Sequence, residues 1–361
     1  MFKYNYLGNY PNDRENGWSE ELQGVCSDGQ NWYFTQRNKL WKFPLTYDLN
    51  KKIKKADPEQ GILMTPLEGY LAMKGAYNHM GDLDYYNGFV FVPVEPANNM
   101  FRARVAMYRA ETLELVSYNY LNSPKGPWCA IEPRSGLLFS SAFYDVDCLQ
   151  VYALEIVNGQ YLITPFSHNL FLYDEKGNPL KLQRLQGGAF SRRTGLLYLV
   201  SDTDSNGGII VINPATGKRV SRIPVDYDPT LLDYTREELE GITILDLDDG
   251  IAPGVKGQVH LVMIDNVGSG DDDLYFKHYS VPLESEKEPL PPELGSTEIA
   301  RPDKKMYVAN QSPSKMEVHS VNCNRAKNIA PANQIEFSSL QEALDQGYDG
   351  CYYCLRPFHT R

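Results

Sequence analysis

Four residues near the C-terminus have the types and spacing of a metal site. His319-x3-Cys323 and Cys351-x2-Cys354 offer two pairs of borderline-to-soft donors, separated by 27 residues that can fold back and bring the pairs together. One imidazole and three thiolates close a tetrahedron around Zn²⁺ and leave no position for water, so the implied metal is structural. The plainer account is two unrelated buried cysteines beside a chance Cys-x-x-Cys. A thioredoxin-like redox pair is disfavoured because no βαβ pattern surrounds Cys351. A short helix should lie between the pairs, capped by Ser338 or Ser339, with Gln341 and Glu342 in a capping box and Gly347 as its stop. So small a unit cannot bury enough apolar surface alone, which makes the metal its folding energy.

A second set of candidates is marked by repetition. Leu22-Gln23-Gly24-Val25, Gln186-Gly187-Gly188-Ala189 and Leu239-Glu240-Gly241-Ile242 each open a strand, with looser versions at Met80-Gly81-Asp82-Leu83 and Pro127-Trp128-Cys129-Ala130. If the first strands of repeated sheets line a common channel, then Gln23, His79, Asp82, Trp128, Gln186 and Glu240 converge on its mouth. Asp82 and Glu240 with amide oxygens and His79 could hold Ca²⁺ or another divalent cation, which could polarise a lactone, ester or phosphate. The plainer account has Gln23 and Glu240 bonding neighbouring backbone. Asp202-Thr-Asp204-Ser-Asn206-Gly207 matches the front half of a calcium loop, but its twelfth position is Asn213 rather than Glu, and a hairpin turn is the stronger expectation. Asp271-Asp272-Asp273 reads as a solvated acidic loop. Trp18, Tyr85, Tyr86 and Trp128 could present aromatic faces to a peptide or sugar, or simply pack. No catalytic residue is assigned: the chain contains neither a Gly-x-Ser-x-Gly elbow nor a phosphate-binding Gly-x4-Gly-Lys-Ser/Thr loop.

The elements that must position these residues are strands. Segments of β-branched and aromatic residues recur between Gly, Asn, Asp and Pro, and no long 3.6-residue apolar period precedes residue 330. The five openings are spaced by 58, 47, 59 and 53 residues, each the length of a four-stranded antiparallel sheet with its turns. The second unit reads as Asp82–Tyr86, an Asn87-Gly88 hairpin turn, Phe89–Val94, Val105–Tyr108 and Leu113–Tyr118; the fourth runs from Ala189 through Arg193-Thr194-Gly195 to Val225. Only three strands follow the fifth opening, and Phe2–Leu7 is expected to close the ring as the fourth. The expected fold is all-β: a five-bladed β-propeller, or a six-bladed one given the long stretch from Val151 to Leu185, with a small C-terminal α+β zinc-binding domain. A β-sandwich is the alternative. The expected boundaries are 1–281 for the propeller, 282–310 for a Pro/Glu-rich linker and 311–361 for the zinc module.

The C-terminal run Val318-His319-x3-Cys323-x2-Ala326-x2-Ile329-x3-Asn333-x3-Phe337-x4-Glu342-Ala343-x3-Gly347-Tyr348-x2-Cys351-x2-Cys354 resembles the N-terminal zinc domain of the Ada DNA-methylation-repair family and its bacterial relatives. The resemblance covers about 40 residues and implies that the four ligands hold zinc. In the repair proteins all four ligands are cysteines and the first accepts the methyl group. His319 stands at that position, so methyl-phosphotriester repair is not expected. The Glu-Gly-Ile phrase loosely resembles blade openings of gluconolactonase-like and phytase-like propellers, where an acidic residue binds calcium.

The formal charge of −11 is carried entirely before residue 315, because residues 315–361 hold five Lys/Arg and five Asp/Glu. A polyanion would be repelled by the large domain, so nucleic acid could be met only through the module's Lys315, Arg325, Lys327, Arg356 and Arg361. The N-terminus lacks the pattern of a signal peptide, and no run approaches the ~18 apolar residues of a membrane span. A cytoplasmic protein without a membrane partner is expected, with Cys26, Cys129 and Cys148 as free thiols. Three functions follow: a binding or scaffold propeller for a protein or glycan, carrying a structural zinc module; a metal-dependent hydrolase working in the channel; and a nucleic-acid-associated protein acting through the module. Whether the protein is an enzyme is left open by the sequence.

Overall fold

Asn87 and Gly88 both adopt positive φ, 47° and 84°, the backbone that a two-residue hairpin demands and that Asn-Gly tolerates. Such turns chop the chain into short strands, and the computed structural model places nearly all of them in antiparallel sheets. It describes residues 4–12, 17–98, 100–157, 160–166, 168–203, 207–226, 237–265, 273–281, 307–312, 316–321, 323–337, 340–355 and 358–359.

The chain divides into two units, one comprising Met1–Tyr152 and Pro165–Glu293, the other Ala153–Thr164 and Leu294–Arg361. In the first, β1 (Asn5–Asn12) is followed by a sheet of β2 (Leu22–Ser27), β3 (Asn31–Gln36), β4 (Lys39–Pro44) and β5 (Leu63–Pro66), in sequence order. The next sheet holds β6 (Tyr77–Met80), β7 (Asp84–Tyr86), β8 (Phe89–Pro96), β9 (Arg104–Arg109) and β10 (Leu115–Tyr120). The third holds β11 (Ala130–Ile131), β12 (Leu138–Ser140), β13 (Cys148–Val157) and β15 (Leu170–Phe171), β13 running on past Tyr152 to pair within the second unit with β14 (Gln160–Pro165), and the fourth holds β16 (Leu185–Phe190), β17 (Leu197–Ser201), β18 (Gly208–Ile212) and β19 (Arg219–Ile223). In the last, β20 (Glu237–Ile244), β21 (Val259–Asp265) and β22 (Asp273–Ser280) are completed by β1, which pairs antiparallel with β22.

The N-terminal strand thus covers the edge of the last sheet, as expected, although over Asn5–Asn12 rather than Phe2–Leu7. The inner strands are successive neighbours: β2 lies beside β7, β7 beside β11, β11 beside β16, β16 beside β20, and β20 beside β2. A closed circuit of sheets, each fed by a short turn and each packing on the next, is a β-propeller. The stretch from Val151 to Leu185 carries parts of β13–β15 and an isolated pairing of Tyr173 with Pro179. Cores lie between adjacent sheets; Trp18, Trp32, Phe34, Trp41 and Phe43 pack with Val262 and Phe276 in one of them. Trp18 therefore serves packing, and Trp32 and Phe276 meet edge to face at 5.6 Å. Cys26 and Cys129 are buried thiols and Cys148 is partly exposed.

The second unit is built on β23 (Tyr307–Asn310), β24 (Glu317–Ser320), β25 (Gln334–Phe337) and β26 (Asp349–Gly350), ordered β25-β23-β24-β26, with one short helix, α1, at Leu340–Asp345. Two findings differ from the sequence boundaries. Tyr307–Asn310, read as the end of the linker, is the module's central strand, because its Tyr307, Val308 and Ala309 are buried. The module's core also takes Val157 and Leu162 from Ala153–Thr164, packed with Tyr307, Phe337, Leu340 and Phe358. The small module completes its apolar core with strand residues from elsewhere in the chain, as small units require. Helix α1 ends where Gly347, at φ 85°, donates its N–H to Leu344 O. The caps at Ser338 and Ser339 and the linker over 282–306 lie outside the described residues. No described helix is long and apolar enough to cross a membrane.

Candidate functional site

At the start of β2, β16 and β20 the same irregularity recurs. The pairing register slips between Leu22 and Gly24, between Leu185 and Gly187, and between Leu239 and Gly241, so that Gln23, Gln186 and Glu240 are the extra residues of three equivalent β-bulges. A bulge turns a side chain out of the pleat and re-aims it. Here all three are aimed into one cavity of about 290 Å³. The Leu before each is fully buried (Leu22, Leu185, Leu239) and anchors its strand to the core.

The Gly after each bulge faces Asp82. A β-carbon on Gly24 would lie 2.4 Å from Asp82 Cα, one on Gly187 2.6 Å from Oδ2, and one on Gly241 2.7 Å from Oδ1. Only glycine admits the carboxylate, and the next residue in each strand then binds it. Val25 N donates to Oδ1 at 2.9 Å, while Gly188 N and Ile242 N donate to Oδ2 at 3.0 and 3.2 Å. The Asp82 backbone meanwhile donates to Pro127 O at 2.8 Å and accepts from Cys129 N at 3.0 Å. One residue therefore ties the inner strands of all five sheets of the unit. It is fully buried, and burial pushes its carboxyl well above the usual range despite the three N–H donors.

Of the channel residues expected from sequence, Gln23, His79, Gln186 and Glu240 line the cavity, whereas Asp82 and Trp128 do not. Asp82 is occupied beneath it by backbone N–H groups. Trp128 is buried, lies against Gly188, and donates from Nε1 to Ser141 Oγ at 2.9 Å.

The rest of the lining escaped sequence reasoning. Glu95 accepts from Lys125 Nζ at 3.0 Å and from Gly126 N at 2.8 Å. Glu238 accepts from Gln186 Nε2 at 2.8 Å and from Arg184 at 3.2 Å, and Arg184 also pairs with Asp202 at 2.7 Å. Glu21 and Arg37 add further charge, and Phe143, Pro127 and Ile264 an apolar wall. A signal for some of these was present: Glu21, Arg184 and Glu238 each stand two residues before a bulge residue, in the repeated pattern charged-Leu-polar-Gly. Glu240 is only 5% exposed; burial first, then Glu238 and Asp202, push its carboxyl well up. Burial draws the His79 imidazole down, against the pull of Glu95.

Asp202 is held by Arg184 and accepts from Leu239 N at 3.2 Å, facing the last sheet; Asp204 and Asn206 lie outside the described residues, as do Asp271 and Asp272. Among the described residues nothing points to calcium.

In the second unit the sequence-derived ligands come together. His319 sits on β24, Cys323 follows one turn later with its N–H on Ser320 O, and Cys351 leaves β26 with its N–H on Val318 O. One donor atom from each of His319, Cys323, Cys351 and Cys354 lies within 4.8 Å of the others, and this set could hold a metal ion. His319 Nδ1 is buried and, among the described residues, meets no oxygen or nitrogen partner, its ring facing the Cys323 and Cys351 sulfurs, and three sulfurs with one imidazole suit zinc. Hydrogen bonds from the Cys354 thiol and from His319 hold the Cys351 thiol below its usual range. Arg325 stacks 3.9 Å over the Tyr353 ring beside this site; Lys315, Arg356 and Arg361 lie outside the described residues.

No protein-family description matches this chain, and no curated protein does. Solved structures similar to it include the Dos1 propeller (13% identity, TM-score 0.34, spanning 70% of this chain and 58% of that one). Others are a gluconolactonase from Xanthomonas campestris (12%, 0.41, 78% and 90%) and the Cps50 (Swd1) β-propeller domain of Myceliophteria thermophila (12%, 0.36, 72% and 84%). The chain is a β-propeller that carries a second unit with a Cys₃His cluster.

Proposed function

We propose that this protein is a binding propeller: the pocket at the mouth of its ring docks a polar group of a protein or glycan ligand, and the C-terminal module is an Ada-like fold stabilised by structural zinc. One observation carries the reading. Three equivalent bulges deliver Gln23, Gln186 and Glu240 into one pocket, while the Asp82 carboxylate beneath is used up by backbone N–H groups. Repeated hydrogen-bonding side chains around a concave site suit recognition. A channel metal held by Asp82 with Glu240, as a metal-dependent hydrolase would need, loses its first ligand to Val25, Gly188 and Ile242.

A hydrolase working in the same pocket is the second reading, favoured by the opposite displacements of Glu240 and His79, which resemble an acid and base set apart by environment. The test is a hydrolysis panel of lactones, aryl esters and aryl phosphates on the full-length protein, with Ca²⁺, Mg²⁺ or Zn²⁺ added, beside Glu240→Gln. The binding reading expects no turnover above buffer in either protein. Turnover that falls a hundredfold or more in Glu240→Gln would replace it with the hydrolase.

A further inference from the structure

We infer that the mouth pocket takes an alkylammonium group, with Glu240 as its counter-ion and Gln23 and Gln186 as its other acceptors. The inference rests on reading the pocket as a binding site. Glu240 is 5% exposed, lines the cavity, and among the described residues has neither a hydrogen bond nor an ion pair. A buried carboxyl left unanswered is costly. Two of the other acids of the wall differ, Glu95 being met by Lys125 and Gly126 N and Glu238 by Arg184 and Gln186, and the remaining one, Glu21, is only half-buried. Arg184 acts on Glu240 through space without bonding to it, so what Glu240 lacks among the described residues is a directly bonded cationic donor.

The two glutamines refine the ligand. Gln186 spends its amide Nε2 on Glu238, and Gln23 turns its Nε2 to Leu22 O at 3.3 Å. Among the described residues neither Oε1 accepts a hydrogen bond, so each bulge contributes one unused acceptor. Three acceptors converging on one space match the three N–H donors of a primary ammonium. A divalent cation would ask for six or more oxygens with several carboxylates, whereas Glu95 and Glu238 are already met by Lys125 and Arg184. Phe143, Pro127 and Ile264 supply the apolar wall for a methylene stem, and Phe143 a ring face. The volume, 290 Å³, sits at the lower edge of ligand pockets, about 300–1,000 Å³, and suits a short chain. The ammonium can come from a free amine or from a lysine side chain.

Isothermal titration of the full-length protein with 1,4-diaminobutane, n-butylammonium and Nα-acetyl-lysine amide tests this, with 1-pentanol and a panel of neutral hexoses and disaccharides as uncharged probes. The expected result is saturable heat from the ammonium probes and none from 1-pentanol, with affinity at least tenfold lower in Glu240→Gln. Should that variant fail to fold by circular dichroism, Gln186→Leu is expected to lose a similar factor. Binding of the lysine amide alone supports the inference with a protein as source; binding of 1,4-diaminobutane supports it with a free amine. Binding of a neutral sugar, lost in Gln186→Leu, with no ammonium probe binding, overturns the ammonium and keeps the binding site. No heat from any probe at millimolar concentration overturns both.

Discussion

Gly241 approaches Asp82 so closely that a β-carbon on it would sit 2.7 Å from Asp82 Oδ1. The repeated glycine of the strand openings is thus explained by a residue far away in sequence. Gly241→Ala forces the buried carboxylate or the strand to move, and overpacking of this kind costs about 1–3 kcal/mol. Gly29 has φ 88° but nothing within 4 Å of an added β-carbon, so Gly29→Ala meets only backbone strain, about 1 kcal/mol. Differential scanning calorimetry should show Gly241→Ala lowering the main melting transition more than Gly29→Ala does.

Asp82 itself is predicted to be the most sensitive polar position of the propeller. Asp82→Asn can keep one oxygen against Gly188 N and Ile242 N but sets an NH₂ group against Val25 N, leaving donors facing each other, at about 1–3 kcal/mol. Asp82→Ala abandons all three N–H groups and opens a void, and should cost more than the Asn variant. Chemical denaturation orders the two; an Ala variant as stable as the Asn variant would refute the hub.

The buried pair His260 and His278, with Nδ1 atoms 2.9 Å apart, sets a pH dependence. Burial holds His260 at about 4 and His278 at about 3, against about 6.5 in the unfolded chain. Between these limits the unfolded state binds more protons than the folded one. The pair's contribution therefore falls as pH drops below 6.5, by at most about 1.4 kcal/mol per pH unit for each proton. His278→Gln removes one such proton, so its stability relative to the parent should improve between pH 7 and pH 5, as urea denaturation at both values can check. An unchanged difference would contradict the assignment.

Much of this was legible in the residues. The clustering of His319, Cys323, Cys351 and Cys354 was readable because four donors at short spacings are a local signal, and the sheets because turn pairs such as Asn87-Gly88 recur at blade length. What was not legible depends on convergence. Asp82 read as a metal ligand because a lone acid in a repeat suggests a site; that three N–H groups from distant strands fill its oxygens follows only from the closed ring. The bulges were invisible because a register slip leaves no mark beyond the Gly that follows it. The module's borrowed segment, Ala153–Thr164, lies more than 130 residues before β23, too far for any local pattern to connect them.

Metal analysis of the purified full-length protein by inductively coupled plasma mass spectrometry, beside the Cys351→Ser/Cys354→Ser and Glu240→Gln variants, tests the division of roles most directly. The account predicts one zinc per chain, lost in the double cysteine variant and unchanged in Glu240→Gln, because it assigns the metal to the cluster that could hold one and not to the mouth pocket. A metal that survives the cysteine substitutions and disappears with Glu240→Gln would contradict it and make the pocket a metal centre.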